Sequence, residues 1–494
     1  MTRRSFLTTA AATKVSAAPK PPNIVLVMAD DMGYSDLACY GSEIPTPHLD
    51  ALARDGIRFT QFYNAARCCP TRASLLTGLY PHQAGIGHMG RNLGLPAYQG
   101  FLNDRCATLA EVLRDAGYRT VMVGKWHVGA RRGQWPCDRG FDQSYALLGG
   151  TSDYFHPKTL VRGKEEIHPS AQDYYITDDF TRQAVQMLEQ PATTQRPFFL
   201  YLAYTAPHFP IQAPAADIAR NRGRYTAGWE AIRHQRYQRM RNLGIVNKRW
   251  ELSPRPSEVP PWNSVADKAG WDTRMATYAA MIERLDAGVG QVRQCLSRIG
   301  AASNTLFLFL SDNGACAESK ENGAVVEPPW ANVSNTPFRK YKHWAHEGGI
   351  STPLIASWPA RIRNGALTTQ LGHVTDIMPT LLEASAAQYP ASRIPLPGTS
   401  LMKALRGERL QHPALFWEHE GNRAIRHDRW KLVAGFNAPW ELYDMANDRT
   451  ELHDLATLQP RRVHELTASY NQWAQRCGVV NWREDWERNS GIPL

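Results

Sequence analysis

Four short apolar runs set the fold class of this chain: Asn23 to Ala29, Thr120 to Val123, Phe198 to Tyr204 and Thr305 to Leu310. Each is continuously apolar and β-rich rather than alternating, the pattern of a strand covered on both faces in a parallel sheet. Helical patterns separate them. Thr108 to Ala116 predicts a helix stopped by Gly117, and Tyr278 to Leu296 shows apolar spacing of three and four. Alternating strands and helices predict an α/β fold. The longest apolar runs, 24–29 and 306–310, are far shorter than the roughly 20 residues a membrane helix needs.

Every one of these runs ends in polar chemistry. Asp30 and Asp31 follow the first, Lys125 and His127 the second, His208 the third, and Asp312 and Asn313 the fourth. One such residue is commonly a turn former or a helix cap. Four strands ending this way point to one site beyond the carboxyl ends of a parallel sheet, where ligands bind in open α/β folds. Asp30, Asp31, Asp312 and Asn313 are hard oxygen donors suited to calcium or magnesium, and poorly suited to zinc or copper. Lys125 and His127 are two residues apart and point to the same side of an extended segment, as an anion clamp beside a proton-transfer group would. His208, after Pro207, is a candidate for the complementary acid.

Cys68, Cys69, Pro70, Thr71 and Arg72 form the sharpest local signal. Pro70 suits the first turn of a helix that ends at Gly78, so Cys68 falls at or just before its N-terminus. Free amides and the helix dipole there favour an anion. A cysteine so placed is either a low-pKa nucleophile, with Arg72 binding an oxyanion, or a buried structural thiol.

Composition excludes several classes. Of 494 residues, 43% are hydrophobic and 21% charged, which is globular. The net charge of +10 comes from scattered basic residues, with no stripe or module that would read nucleic acid. The eight cysteines form no C-x-x-C pair. Arg3 and Arg4 open an alanine-rich stretch that ends near Ala17, so residues 1–18 are expected to be a twin-arginine export signal, with a periplasmic or secreted product.

The motifs taken together resemble the formylglycine-dependent sulfatases of the alkaline phosphatase superfamily, in their arylsulfatase branch. C-C-P-T-R followed by A-S-L-L-T-G matches the signature, and N-I-V-L-V-M-A-D-D, G-K-W-H-V-G, T-A-P-H-F-P, F-L-S-D-N-G and Y-K-H-W-A-H-E-G-G follow the family order over the mature chain. F-W-E-H-E-G-N-R-A-I-R and R-W-K-L-V extend the likeness to the C-terminal part. The resemblance implies a large, mixed and mostly parallel sheet flanked by helices. It also implies that a maturation enzyme oxidises Cys68 to formylglycine, and that Asp30, Asp31, Asp312, Asn313 and the modified residue 68 hold one calcium ion. The aldehyde hydrate would attack a sulfate ester, with Arg72 favouring the attacking oxygen. Lys125 and Lys342 would hold the sulfate, His208 would protonate the leaving oxygen, and His127 would take the proton that expels sulfate. Aryl or carbohydrate sulfate esters are the expected substrates. The rivals are a phosphate or phosphonate ester hydrolase of the same superfamily, and a non-catalytic binding protein with Cys68 unmodified.

Other features are discounted or left open. His343, His346 and Glu347 fit no zinc-protease pattern, and Gly348 and Gly349 suit a loop. Cys69 is read as a neighbour without a role. Arginine and tryptophan between residues 222 and 262 either line a substrate cleft or belong to a solvated helical insertion. Residues 20–400 are expected to be the catalytic domain. After an Ala/Ser/Pro-rich stretch, residues 401–494 are expected to form a small antiparallel subdomain ending in a helix over 461–476.

Overall fold

A computed structural model describes residues 20–190, 196–318, 325–362 and 364–483. The expected export signal lies outside the described residues. Ten strands form one mixed sheet: β1 (Asn23–Ala29), β2 (Ile57–Tyr63), β3 (Arg119–Lys125), β4 (Gln143–Leu147), β5 (Leu160–Arg162), β6 (Glu165–Glu166), β7 (Phe198–Ala203), β8 (Thr305–Ser311), β9 (Ser351–Ser357) and β10 (Ala366–His373). Their order is β10-β2-β9-β8-β1-β7-β3-β4-β5-β6. The four runs singled out in the sequence are β1, β3, β7 and β8. They lie side by side as β8-β1-β7-β3, all parallel, with Val25 opposite both Leu200 and Phe307. Two hydrophobic cores, one on each face, explain their unbroken apolarity. Val25 and Val27 face one core, and Ile24 and Leu26 the other.

The helix predicted from Thr108 runs Leu109–Asp115, with Thr108 and Glu111 satisfying each other's backbone amides in a capping box. The second predicted helix is part of a longer one, Lys268–Arg298, that covers the sheet. Four further strands, β11 (Leu415–His419), β12 (Asn422–His427), β13 (Trp430–Ala434) and β14 (Glu441–Asp444), make the separate antiparallel sheet, followed by the helix Pro460–Cys477.

The segment 222–262 is not a solvated insertion. Its helix Trp229–Asn242 buries Trp229, whose ring lies 4.7 Å from Trp262 and 5.7 Å from Trp330. Arg236 is fully buried because it meets carboxylates there, Asp36 at 2.6 Å and Glu43 at 2.7 Å. Tryptophan and paired arginine do the packing that an aliphatic stripe usually does, so the helix has no apolar periodicity to detect.

Candidate active site

The parallel strands bring their terminal residues together at one end of the sheet. Asp30 and Asp31 leave β1, Asp312 and Asn313 leave β8, Lys125 closes β3, and His208 lies in the loop after β7. All are buried. Asp31 adopts φ 66 and His127 φ 55, left-handed conformations that turn the chain sharply at the strand ends. The helix Cys68–Thr77 starts with Cys68, as its proline predicted, with Arg67 at the N-cap position and no side-chain cap.

The contacts form one connected network. Lys125 Nζ donates to Asp30 Oδ2 at 2.6 Å, and Arg72 Nη2 donates to Asp312 Oδ2 at 2.8 Å. Lys342 Nζ lies 2.8 and 2.9 Å from the two oxygens of Asp31, and Asn313 Nδ2 donates to Asp31 Oδ1 at 2.7 Å. His208 Nδ1 faces the carbonyl of Phe209 at 2.6 Å, which leaves Nε2 in the site, 3.4 Å from Lys342 Nζ and 3.6 Å from Asp31 Oδ2. Arg72 Nη1 also donates to the carbonyl of Lys125 at 3.0 Å, and Nη2 lies 3.5 Å from Asp30. Arg72 Nη2 therefore holds the two carboxylates, Nη1 holds the strand-end carbonyl, and Nε is buried without a partner.

Two oxygens stand out. Asp30 Oδ1 and Asn313 Oδ1 are buried and have no hydrogen-bond partner. A buried carboxylate oxygen without a partner carries a large desolvation cost. Burial and then Asp30 push the carboxyl of Asp312 up to about 8, with Arg72 opposing. Burial also raises Asp30, against Lys125 and Arg72. Asp31 goes the other way, because Lys342 and His208 outweigh burial and hold it at about 2. Crowded carboxylates with two orphaned hard oxygens fit a divalent cation with oxygen ligands. Asp30, Asp31 and His208 also place donor atoms within 4.8 Å of one another.

Cys68, Cys69 and His127 form a second tight group. A hydrogen bond from Cys69, then Lys125 and His127, pull the thiol of Cys68 well below its usual range despite burial. Cys69 is therefore a neighbour of Cys68 in space as well as in sequence, with the two sulfurs within 4.8 Å. Burial lowers His127, opposed by Cys68, and lowers His208 to about 3 against the pull of Asp31.

Three supporting residues carry no sequence signal of their own. Tyr154 Oη donates to the carbonyls of Thr205 (2.7 Å) and His208 (2.9 Å), which fixes the histidine loop. Tyr278 Oη donates to Asp31 O at 3.1 Å and Asp36 Oδ2 at 2.7 Å. Gly150 leaves room for the His127 ring, since a Cβ there would lie 2.4 Å from it. In sequence the two tyrosines are indistinguishable from core aromatics.

The chain is similar to several known proteins over most of its length. A family model described as sulfatase matches residues 22–387, and one described as N-sulphoglucosamine sulphohydrolase, C-terminal, matches residues 338–472. The chain is 35% identical to an arylsulfatase of Klebsiella aerogenes, over 78% of this chain and 92% of that protein. It is 33% identical to an uncharacterized sulfatase of Schizosaccharomyces pombe, over 95% and 96% of the two chains. The crystal structure of Ps i-CgsB in complex with k-i-k-neocarrahexaose superposes with a TM-score of 0.74 at 26% identity, covering 96% of this chain and 98% of that one.

Proposed function

The chain belongs to the sulfatase family and hydrolyses sulfate esters, and from that premise we propose that Cys68, oxidised to formylglycine, works beside a calcium ion held by Asp30, Asp31, Asp312, Asn313 and the modified residue 68. The observation that carries the metal assignment is the pair of orphaned oxygens, Asp30 Oδ1 and Asn313 Oδ1, buried among three carboxylates. When present, the aldehyde hydrate supplies a nucleophilic oxygen, and calcium supplies charge stabilisation for sulfate oxygens.

The remaining roles belong to this chain's own side chains. Three cations, Arg72, Lys125 and Lys342, face three carboxylates, so a bound dication leaves the site net positive and suited to an anionic ester. Lys125 and Lys342 hold the sulfate, and Arg72 keeps Asp312 and Asp30 in register. His208 is oriented by the Phe209 carbonyl so that Nε2 serves the leaving oxygen, and an incoming anion favours its protonated form. His127, beside residue 68, takes the proton that releases sulfate.

Aryl and carbohydrate sulfates are the proposed substrate classes. The singly charged sulfate ester is favoured over a phosphate ester because lysines stand where a second metal would need further carboxylates. The catalytic domain is assigned to residues 20–400 and the small subdomain to 401–494. No helix of the described residues is long and apolar enough to cross a membrane. Twin-arginine export to the periplasm or medium, and maturation by a formylglycine-generating enzyme, complete the reading. Nitrophenyl sulfate and nitrophenyl phosphate assayed in parallel, before and after chelation, test it. Faster sulfate release, lost on chelation and restored by calcium, is expected. Preference for phosphate, or full activity after chelation, would overturn it.

A further inference from the structure

A second convergence of ligating side chains lies beside the active site, where the small sheet meets the large one. The hairpin between β11 and β12 turns at Glu420 and Gly421, with φ 50 and 78, so a glutamate occupies a left-handed position that hairpins normally give to asparagine or glycine. Its carboxylate faces three imidazoles. His88 Nε2 lies 2.7 Å from Oε1, His419 Nε2 3.4 Å from Oε1, and His343 Nδ1 2.9 Å from Oε2. His343 directly follows Lys342, and its amide donates to the carbonyl of Ala66 at 2.8 Å, two residues before Cys68.

The decisive member is His419. It is 1% exposed, and neither of its ring nitrogens has a hydrogen-bond partner. Burial favours the neutral ring, which carries one N–H and one lone pair, so both are left unsatisfied in a buried site. Its 3.4 Å separation from Glu420 Oε1 is long for an N–H···O bond. It equals the roughly 3.4 Å expected between two ligand atoms each about 2.1 Å from a tetrahedral zinc ion.

We propose that His343, His419 and Glu420 form a cation site, separate from the calcium site, for a borderline divalent ion of the zinc class. The two imidazoles and one carboxylate place one donor atom each within 4.8 Å of the others. That nitrogen-rich set selects against calcium and magnesium as strongly as the oxygen set at the strand ends selects for them. His88 orients the carboxylate as a hydrogen-bond donor. Asn422 lies 2.9 Å from His343 Nε2, and its Oδ1 is buried without a partner. Turning that amide over sets Oδ1 against Nε2–H and leaves the Nδ1 lone pair for the ion, the arrangement metal-bound histidines usually have, at the loss of the 3.1 Å bond that Nδ2 otherwise donates to the carbonyl of His419. His343 and Glu420 are partly exposed, which leaves one coordination position open toward solvent. His343 thus ligates with a distant hairpin, not with the neighbouring His346 as a zinc-protease helix would require.

The test uses the full chain, stripped with chelator and reloaded with zinc in excess calcium, and measures zinc retained after gel filtration. Wild type and Asp312→Asn are expected to retain it, whereas His419→Ala and Glu420→Gln lose it. His88→Ala is expected to weaken zinc binding by about 10- to 100-fold. No zinc on the wild type, or undiminished zinc on His419→Ala, would overturn the proposal in favour of a purely hydrogen-bonded cluster. Anomalous diffraction from zinc-soaked wild-type crystals decides the matter even if a variant fails to fold. A peak bonded to all three side chains is expected, and a peak only among Asp30, Asp31 and Asp312 would refute the site.

Discussion

Arg72 shows how the contacts of a motif residue can suggest a different role from the motif itself. The sequence placed it near an oxyanion, but its guanidinium spans Asp312, Asp30 and the Lys125 carbonyl. Acting through carboxylates, it should behave as a support of the metal cage. Arg72→Ala is expected to weaken calcium binding and activity together by about 10- to 100-fold, measured by calcium titration beside steady-state kinetics. Unchanged calcium affinity with lost activity would return it to the substrate. The histidines should separate by leaving group. His208→Ala should cost about 10² to 10⁴ on sugar sulfates and far less on activated phenols. His127→Ala should keep a first-turnover burst of nitrophenol and then stall. A burst in the His208 variant instead would exchange the two assignments.

The strands that carry the site were legible because both their faces are buried, which writes an unbroken apolar run into the chain. The other strands of the large sheet were not. In β2, Arg58 and Gln61 interrupt the pattern; β9 begins with Ser351 and Thr352, and β10 is a partly exposed edge rich in threonine. The antiparallel insertion of β9 between β8 and β2 is a long-range pairing that no local pattern encodes. The C-terminal hairpins were legible from their turns and alternation. Gly124 illustrates what elements demand of single residues. It has φ 113, and a Cβ there would lie 1.9 Å from the carbonyl oxygen of Ala203 on β7. Gly124→Ala must part β3 from β7 next to Lys125, at a cost of about 3 kcal/mol or more. Urea unfolding should show that loss, and activity should fall even in the folded fraction. An unshifted urea midpoint would mean the two strands can separate freely there.

Across the whole molecule, one buried ion network ties the two sheets together. Glu347, just before β9, meets Lys431 of β13 at 2.9 Å and Arg449 at 2.7 Å, and Lys431 meets Glu451 at 2.7 Å. Burial alone would raise the carboxyl of Glu347, but Lys431 and then Arg449 hold it at about 2. Its folded value lies below its unfolded one, so its contribution is complete above the ordinary glutamate range and is lost as pH falls from about 4.5 toward 2. Glu347→Gln should cost about 3–5 kcal/mol at neutral pH and flatten the acid limb of a urea-midpoint profile. An acid limb as steep as that of the wild type would place the acid sensitivity elsewhere. At the active site, the proposed sulfate ester hydrolysis depends on a chemically altered residue 68. Mass analysis of the peptide bearing that residue, from a preparation that cleaves nitrophenyl sulfate, tests it most directly. The account predicts that sulfur is replaced by oxygen with loss of two hydrogens, in proportion to activity across preparations. A fully active preparation whose residue 68 is still an intact cysteine would contradict it.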